Sequence, residues 1–261
     1  MNAQYEYKTA PVSVQRGSVY LSNLPHLHKE IEIVYVRRGD TMAFADSESY
    51  HITAGDLFIS FCDQIHYYPD CQAGEYDVFI VSPKVFFGIK ELLTDHVPKS
   101  NVVSLPVGDP LTDIIESIRD NPLGDISGYA GYFNLLMSGL LPRLTLRPIM
   151  KTENVTMHSI MSFCSAHFAE DISLEYLADS LHLSRCYISH LFSRNLNIGF
   201  SEYINMLRVS AACELLLETR GRIADISEEV GFGSIRSFNR AFLKIMGRTP
   251  KEYREKVKKK Q

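Results

Sequence analysis

Apolar residues recur with helical spacing in two segments near the C-terminal end of the chain. The apolar positions of the first segment are Leu174, Leu177, Leu181, Ile188 and Phe192. Those of the second segment, about fifty residues later, are Ile223, Ile226, Val230, Phe238 and Phe242. Steps of three and four residues place each set on one face of a helix. Each segment therefore predicts two short helices joined by a turn, which is a helix-turn-helix motif.

The residues at the turns agree with this interpretation. Ser184 and Ser234 stand where the second helix of each unit begins, and a hydroxyl there can accept a hydrogen bond from a free amide. Gly231 and Gly233 ease the sharp second turn. Residues 201–217 lack Gly and Pro, so they predict one helix, roughly 25 Å long. The C-terminal domain is thus predicted to be all-α, with helix-turn-helix motifs at about 174–194 and 223–244 joined by a long helix.

The outward faces of the two second helices carry the candidate chemistry. These faces expose Arg185, Cys186, Ser189, His190, Ile235, Arg236, Asn239 and Arg240. Arginine can make bidentate hydrogen bonds to guanine and asparagine to adenine, while Cys and Ile offer apolar contact to a thymine methyl. Ser189 and His190 suit a base edge or a phosphate equally. A solvated helix face is the alternative for each residue taken singly, whereas the duplicated scaffold favours DNA contact and makes the second helix the better equipped reader.

Three further stretches accompany the two helix-turn-helix units: Gly231-Phe232 in the second turn, residues 238–242 in the second recognition helix and the closing residues 247–254. With the two units, they resemble the AraC/XylS family of bacterial transcription regulators over roughly residues 155–256. The resemblance implies double-stranded promoter DNA as a partner, contacted in two adjacent major grooves, and RNA polymerase as a second partner. His190 departs from the family, whose members often have arginine late in the first recognition helix.

Charge divides the chain near residue 150. Residues 1–150 contain 11 basic and 18 acidic residues, a net charge of −7, whereas residues 151–261 contain 16 and 13, a net charge of +3. We therefore expect an N-terminal domain at 1–150 and a basic DNA-binding domain at 151–261. A charged-then-apolar leader and a run of eighteen apolar residues are both missing from the sequence, so we expect a cytoplasmic protein without membrane contact. The five scattered cysteines predict reduced thiols.

In the N-terminal third the apolar pattern is that of strands. Short runs rich in Ile, Val, Phe and Tyr occupy residues 30–36, 41–45, 57–61 and 76–81. Many short strands at this spacing predict a sandwich or small barrel. After it, Leu111, Ile114, Ile115 and Ile118 mark an amphipathic helix, and residues 129–146 predict a strongly apolar one. The predicted fold class is α+β in two domains.

Histidines and a carboxylate form a second constellation in the β-rich region. His26 and His28 alternate by two, and Glu32 and His66 could close a metal site with them. Roughly residues 10–85 resemble the cupin jelly roll, although the usual Pro before His66 is missing. This resemblance leaves two roles open. One is a metal-dependent cupin enzyme with a DNA-binding appendage; the other, found in AraC-like regulators, is a ligand-sensing domain without catalysis.

We favour sensing because a DNA-binding domain is attached, and we assign no catalytic residue, cofactor or metal; structural histidines remain a further alternative. The candidate effector-binding residues are His26, His28, Glu32, Tyr35, His66 and Tyr68. Imidazole, carboxylate and aromatic groups suit a sugar or another small polar metabolite, although alternating aromatic residues are also typical of a plain core. The apolar helices after the barrel can pack against it and, as the family resemblance implies, form a homodimer contact, and one helix can do both.

Overall fold

The structure is a computed structural model that describes residues 10–18, 21, 23–68, 74–121, 126–149, 151–219 and 221–258. The chain divides into two compact units: residues 26–155 make up most of the first and residues 156–261 most of the second. Cys71 lies outside the described residues. Within the described ranges, none of the helices combines the length and the apolarity that crossing a membrane requires.

In its described residues, the first unit contains antiparallel strands and three α-helices. Its strands are β1 (Val12–Ser18), β2 (Asn23–His26), β3 (Ile31–Arg38), β4 (Asp40–Ala45), β5 (Glu48–Thr53), β6 (Asp56–Ser60), β7 (His66–Tyr68), β8 (Glu75–Val81), β9 (His96–Pro98), β10 (Val102–Ser104) and β11 (Leu146–Pro148). Its helices are α1 (Lys90–Asp95), α2 (Pro110–Asp120) and α3 (Ile126–Leu140). The four predicted strands are confirmed as β3, β4, β6 and β8, each with ends shifted by no more than two residues.

The strands form separate sheets. One sheet has the order β1-β8-β3-β6-β10, a second has the order β2-β7-β4-β5, and β9 pairs with β11. The prediction of a cupin-like β-rich domain followed by helices is confirmed, but in the described residues the sheets do not close into a barrel. Short apolar runs cannot distinguish a sandwich of two sheets from a closed barrel, because closure depends on hydrogen bonds between edge strands that are distant in sequence.

Strand β3 is buried on both faces, which places two cores around it. Ile31, Ile33 and Tyr35 join the core that contains Leu111, Ile115 and Ile118 of α2 and Phe133, Leu136, Met137 and Leu140 of α3. The alternate residues Val34 and Val36 join the core of the second sheet, with Ala43, Ala45 and Tyr68. Packing of the apolar helices against the sheet is therefore confirmed, and the side chains of β3 at even positions point between the two sheets.

The second unit is helical. Its helices are α4 (Lys151–His167), α5 (Leu174–Leu181), α6 (Arg185–Leu196), α7 (Phe200–Glu218), α8 (Ile223–Glu229), α9 (Ile235–Met246) and α10 (Pro250–Lys258). The α5–α6 and α8–α9 pairs are the two predicted helix-turn-helix units, and α7 is the predicted long helix, about 28 Å at 1.5 Å per residue. The hydroxyls of Ser184 and Ser234 accept hydrogen bonds from the amides of Tyr187 and Ser237, which confirms both predicted helix caps.

Arg208, on the long helix α7, connects the loop between α4 and α5 with the second helix-turn-helix unit. Arg208 of α7 donates from Nε to the carbonyl of Phe168 at 2.7 Å and from Nη2 to that of Glu170 at 2.8 Å. Its guanidinium also lies 5.6 Å from the ring centroid of Phe232, in the second turn. One side chain of the long helix thus contacts both the loop that leads into α5 and the turn between α8 and α9.

Candidate functional site

The outward faces of α6 and α9 carry the predicted DNA-contacting side chains. Ile188, Phe192, Phe238 and Phe242 are each 0% exposed, which fixes the rotation of both helices. On the opposite faces, all eight predicted residues are exposed: Arg185, Cys186, Ser189, His190, Ile235, Arg236, Asn239 and Arg240. Tyr187 and Leu243 are also exposed on these helices, at 36% and 50%. Neither residue is among the predicted contact residues, although both lie outside the inward positions of their helices.

The cations of the two recognition helices differ in their surroundings. Arg185 of α6 donates from Nη1 to Oε1 of Glu175 at 2.7 Å, and this hydrogen bond lowers the pKa of the Glu175 carboxyl. Arg236 and Arg240 of α9 have no hydrogen bond or ion pair to any described residue. Arg185 is therefore engaged by a carboxylate of the protein, whereas Arg236 and Arg240 are exposed without such a partner among the described residues.

The predicted histidine and carboxylate residues converge between the two sheets of the first unit. His26 ends β2, Glu32 lies on β3 of the other sheet, and His66 begins β7. Together with His28, they offer four ligand atoms that all lie within 4.8 Å of one another, and all four residues are buried. His28 follows the end of β2, so the expectation that it shares a strand with His26 is wrong. The turn after β2, rather than strand alternation, directs its ring into the cluster.

Hydrogen bonds orient the members of this cluster. Nδ1 of His28 contacts the carbonyl oxygen of Glu30 at 3.1 Å, and Nδ1 of His66 contacts that of Gln64 at 2.9 Å. The hydroxyl of Tyr68 donates to Oε1 of Glu32 at 2.8 Å. Oε2 of Glu32 lies 3.5 Å from Nε2 of His28 and 3.6 Å from Nε2 of His66. The imidazoles and the carboxylate thus face one another across a short gap.

Burial and charge shift the ionisation of these groups in opposite ways. Burial raises the pKa of Glu32, but attraction to His66 and His28 outweighs it and holds that pKa well below its usual value. Burial lowers the pKa of His66, but attraction to Glu32 leaves it above the usual value. Burial, followed by the negative charge of Glu32, raises the pKa of the Tyr68 phenol. The cluster therefore holds an anionic carboxylate beside groups that can supply positive charge or lone pairs.

Tyr35 lies apart from the other candidate effector residues. It is three residues from Glu32 on β3, so its side chain is on the opposite face, in the core that contains α2 and α3. Tyr68, in contrast, lies on β7 with His66 and contacts Glu32 directly. The structure thus brings together five of the six candidates. The odd spacing of Tyr35 from Glu32 was the signal that could have separated it.

Two family models match the chain. One, described as an AraC-like ligand binding domain, matches residues 18–119, and the other, described as a helix-turn-helix domain, matches residues 177–256. Their combined length exceeds half of the chain. The first match contains the histidine and carboxylate cluster, and the second contains α6 and α9.

Curated relatives and solved structures agree with these matches. The lactose operon transcription activator of Staphylococcus xylosus is 24% identical over 253 residues, covering 89% of this chain and 86% of that protein. The regulatory protein PocR of Salmonella typhimurium is 33% identical over 101 residues, 39% of this chain and 33% of PocR. The crystal structure of ToxT from Vibrio cholerae is similar in fold, with a TM-score of 0.55 at 15% identity over 93% of this chain and 96% of ToxT.

These matches cover both units: one contains the histidine and carboxylate cluster, and the other contains α6 and α9. In this chain the ligand-binding match precedes the helix-turn-helix match, and the lactose operon transcription activator aligns with 89% of the chain. The chain belongs to the AraC family of transcription regulators.

Proposed function

We propose that this regulator reads two successive major-groove segments of promoter DNA, one with α6 and one with α9. The observation that carries the proposal is the presence of two exposed recognition faces on similarly packed scaffolds, which the contacts of Arg208 connect. A dimeric reader places its two recognition helices about 34 Å apart, one turn of DNA. The long helix α7 lets a single chain present two recognition helices, so an asymmetric site can be read without dimerisation.

The side chains support unequal roles for the two helices. Arg236, Asn239 and Arg240 form a conventional set of base-contacting groups, and the exposed Ile235 can meet a thymine methyl. In α6, Cys186, Ser189 and His190 have less capacity for bidentate contacts. We propose that α9 contributes more of the base discrimination, whereas α6 contributes more to positioning through phosphates.

We propose that a small polar ligand in the first unit controls this binding. The support is the buried group of His26, His28, Glu32, His66 and Tyr68, whose polar atoms converge between apolar sheets. The name of one relative refers to the lactose operon, and ToxT has been crystallised with an unsaturated fatty acid bound. Imidazole, carboxylate and phenol groups favour a polar molecule such as a sugar. Control requires that the ligand bind more tightly to one conformational state than to another.

The first prediction concerns the base contacts of α9. We expect Arg236→Ala and Arg240→Ala each to weaken binding to a site selected from random duplex DNA by roughly 5- to 150-fold, since one bidentate contact contributes about 1–3 kcal/mol. The control is Lys84→Ala, which removes an exposed cation from the first unit. Affinity is measured by titrating the duplex with protein at constant salt, and a footprint shows which bases are protected. Both measurements are repeated in the presence of candidate sugars, which test the proposed effector. Unchanged affinity and footprint in both arginine variants would overturn the role of α9.

We further propose that the chain forms a homodimer and contacts RNA polymerase at the promoter. Support for the dimer comes from α3, where Leu135 is 55% exposed although the other face of the helix is buried. Two linked DNA-binding domains would bind paired sites more tightly through effective concentration. We expect contact with RNA polymerase because the protein regulates transcription. The test is whether this protein, RNA polymerase and promoter DNA form a ternary complex.

A further inference from the structure

The two helix-turn-helix motifs are held by different parts of the long helix α7. The ring of Phe192, in α6, lies 5.5 Å from the ring of Tyr203, near the start of α7. The second motif packs farther along, where Val209, Ala212 and Leu216 of α7 join the core of α8 and α9. Because each of these contacts holds a single motif, a contact that reaches both is the one that can fix the angle between them.

Such a contact lies midway along α7, at Arg208. Its guanidinium donates from Nε to the carbonyl of Phe168 and from Nη2 to the carbonyl of Glu170, at 2.7 and 2.8 Å. The same group lies 5.6 Å from the ring centroid of Phe232, in the second turn. We refer to residues 168–170, Arg208 and residues 231–232 together as the junction. The junction links the loop that leads into the first motif with the turn of the second.

Main-chain atoms also meet at the junction. A Cβ on Gly231 would lie 2.5 Å from the carbonyl oxygen of Ala169 and 2.8 Å from its Cα. Backbone therefore packs on backbone here, without a flexible side chain between them to absorb a shift. The neighbours of Ala169 on both sides are the residues whose carbonyls Arg208 binds. A movement of the second turn away from the loop must therefore disturb contacts of Arg208.

The shape of the arginine side chain suits this position. The guanidinium is a rigid planar fork, so two of its N–H groups can hold two carbonyls of one loop in a fixed geometry. Hydrogen bonds from a charged donor are also stronger than those between neutral groups. A lysine ammonium in its place would keep the charge but not the fork. Since Nε and Nη2 of Arg208 are engaged by carbonyls, we expect this residue to act through protein geometry.

We propose that Arg208 is a positioning residue that fixes the separation and angle of α6 and α9, and so makes the regulator selective for the spacing of its half-sites. A half-site is the DNA segment that one recognition helix contacts, so the inference rests on the proposed reading of two segments. One inserted base pair moves a half-site by about 3.4 Å and turns it by about 35° around the DNA axis. A rigid junction cannot follow that change without losing the base contacts of one helix, whereas a loosened junction can.

The test compares two duplexes that differ by one base pair between the half-sites. The parent duplex is selected from random DNA with the full wild-type chain, and footprints locate its two half-sites. The spacing penalty is the Kd for the lengthened duplex divided by the Kd for the parent duplex. We expect a penalty of at least about 30-fold for the wild type, because the base contacts of one helix are lost. For Arg208→Ala we expect about five-fold or less.

Arg222→Ala is the matched control. Arg222 also donates from Nε and Nη2, but to Asp225 at the start of α8, the end of that helix opposite the second turn. Its loss should leave the spacing penalty at the wild-type value, because a lost phosphate contact weakens binding to both duplexes alike. Arg208→Lys keeps the charge without the fork, so we expect it to lower the penalty at least about three-fold.

A folded Arg208→Ala variant with the wild-type spacing penalty would overturn the inference. Circular dichroism checks the fold of each variant. If Arg208→Ala unfolds, Arg208→Lys decides, and a wild-type penalty in that variant also rejects the role of Arg208. A wild-type footprint with one protected segment rejects the two-segment reading itself. Two protected segments with equal penalties in the wild type and the Arg208 variants reject the positioning role alone.

Discussion

The two recognition helices differ residue by residue at equivalent outward positions. Cys186, Ser189 and His190 of α6 correspond to Arg236, Asn239 and Arg240 of α9 when fifty is added to the residue number. At each of these positions, the side chain of α9 can make two hydrogen bonds to a base, whereas the side chain of α6 is small or can make only one. Arg185, the remaining cation of the α6 set, is paired with Glu175. The asymmetry in composition is therefore reinforced by an asymmetry in pairing.

The cysteines allow the exposure of α6 to be measured. Burial raises the pKa of the Cys62 and Cys164 thiols to about 12, whereas Cys186 is exposed on the recognition face. Because the thiolate is the reactive form, we expect iodoacetamide at pH 7.5 to modify Cys186 at least about ten-fold faster than the two buried thiols. Peptide mass spectrometry after brief labelling gives the rates.

Two comparisons control the labelling experiment. In denaturant, Cys62 and Cys164 should react as readily as Cys186, because unfolding removes the burial that raises their pKa. Bound specific DNA should slow labelling of Cys186 if α6 enters the major groove. Native labelling of Cys62 at the rate of Cys186 would contradict the burial that the structure assigns to it.

At the scale of elements, the two turns reach similar geometry with different residues. In the first helix-turn-helix motif, His182 adopts the left-handed conformation with φ of 55° after α5. In the second, Gly231 adopts φ of 88°, and a Cβ there would lie 2.5 Å from the carbonyl oxygen of Ala169. The loop that contains Ala169 is also held by Arg208 through its neighbours. Glycine is thus required where the second turn meets this loop.

The adjacent glycines provide a matched pair of substitutions. We expect Gly231→Ala to destabilise the helical unit by about 2 kcal/mol or more, because the added Cβ meets backbone atoms and the conformation disfavours L-residues. A Cβ at Gly233 meets nothing within 4 Å, so Gly233→Ala should change stability by less than about 1 kcal/mol. Thermal unfolding followed at 222 nm should show a drop of roughly 8 °C or more for Gly231→Ala alone. Equal midpoints for the two variants would contradict this account of the turn.

At the scale of the whole molecule, the chain combines an acidic first unit with a basic second one. The charges of −7 and +3 favour contact of residues 151–261, rather than residues 1–150, with phosphates. A net charge of +3 is small for a DNA-binding domain, so a single copy would gain modestly from non-specific attraction. Dimerisation through the first unit would raise affinity without adding contacts per chain.

The exposed face of α3 gives a test of the dimer. We expect Leu135→Lys to weaken self-association by roughly ten- to one-hundred-fold, because burying a leucine contributes about 1.5–3 kcal/mol. Sedimentation velocity over a concentration series measures the change. The matched control is Val107→Lys, which places the same charge on a fully exposed loop residue. A wild-type chain that sediments as a monomer throughout, or an unaffected Leu135→Lys variant, would reject the α3 interface.

The sequence by itself determined the helix-turn-helix units, because their signals are local. Helical spacing fixed the inward positions of α6 and α9, and the serine caps and the motif at 247–254 lie within a few residues of the helices that they delimit. Short runs rich in Ile, Val, Phe and Tyr likewise located β3, β4, β6 and β8. Even the opposite orientation of Tyr35 and Glu32 was implicit in their odd spacing along one strand.

The tertiary structure decided which distant residues meet. Sheet closure depends on edge pairing, so the short apolar runs could not choose between a sandwich of separate sheets and a small barrel. The imidazole rings of His28 and His66 meet Glu32 only because β3 and β7 belong to facing sheets and because contacts with backbone carbonyls orient the rings. Gly231 is required, whereas Gly233 is not, because a loop sixty residues earlier passes beside it. Local periodicity encodes elements, but contacts between elements depend on pairing and packing that no short stretch of sequence specifies.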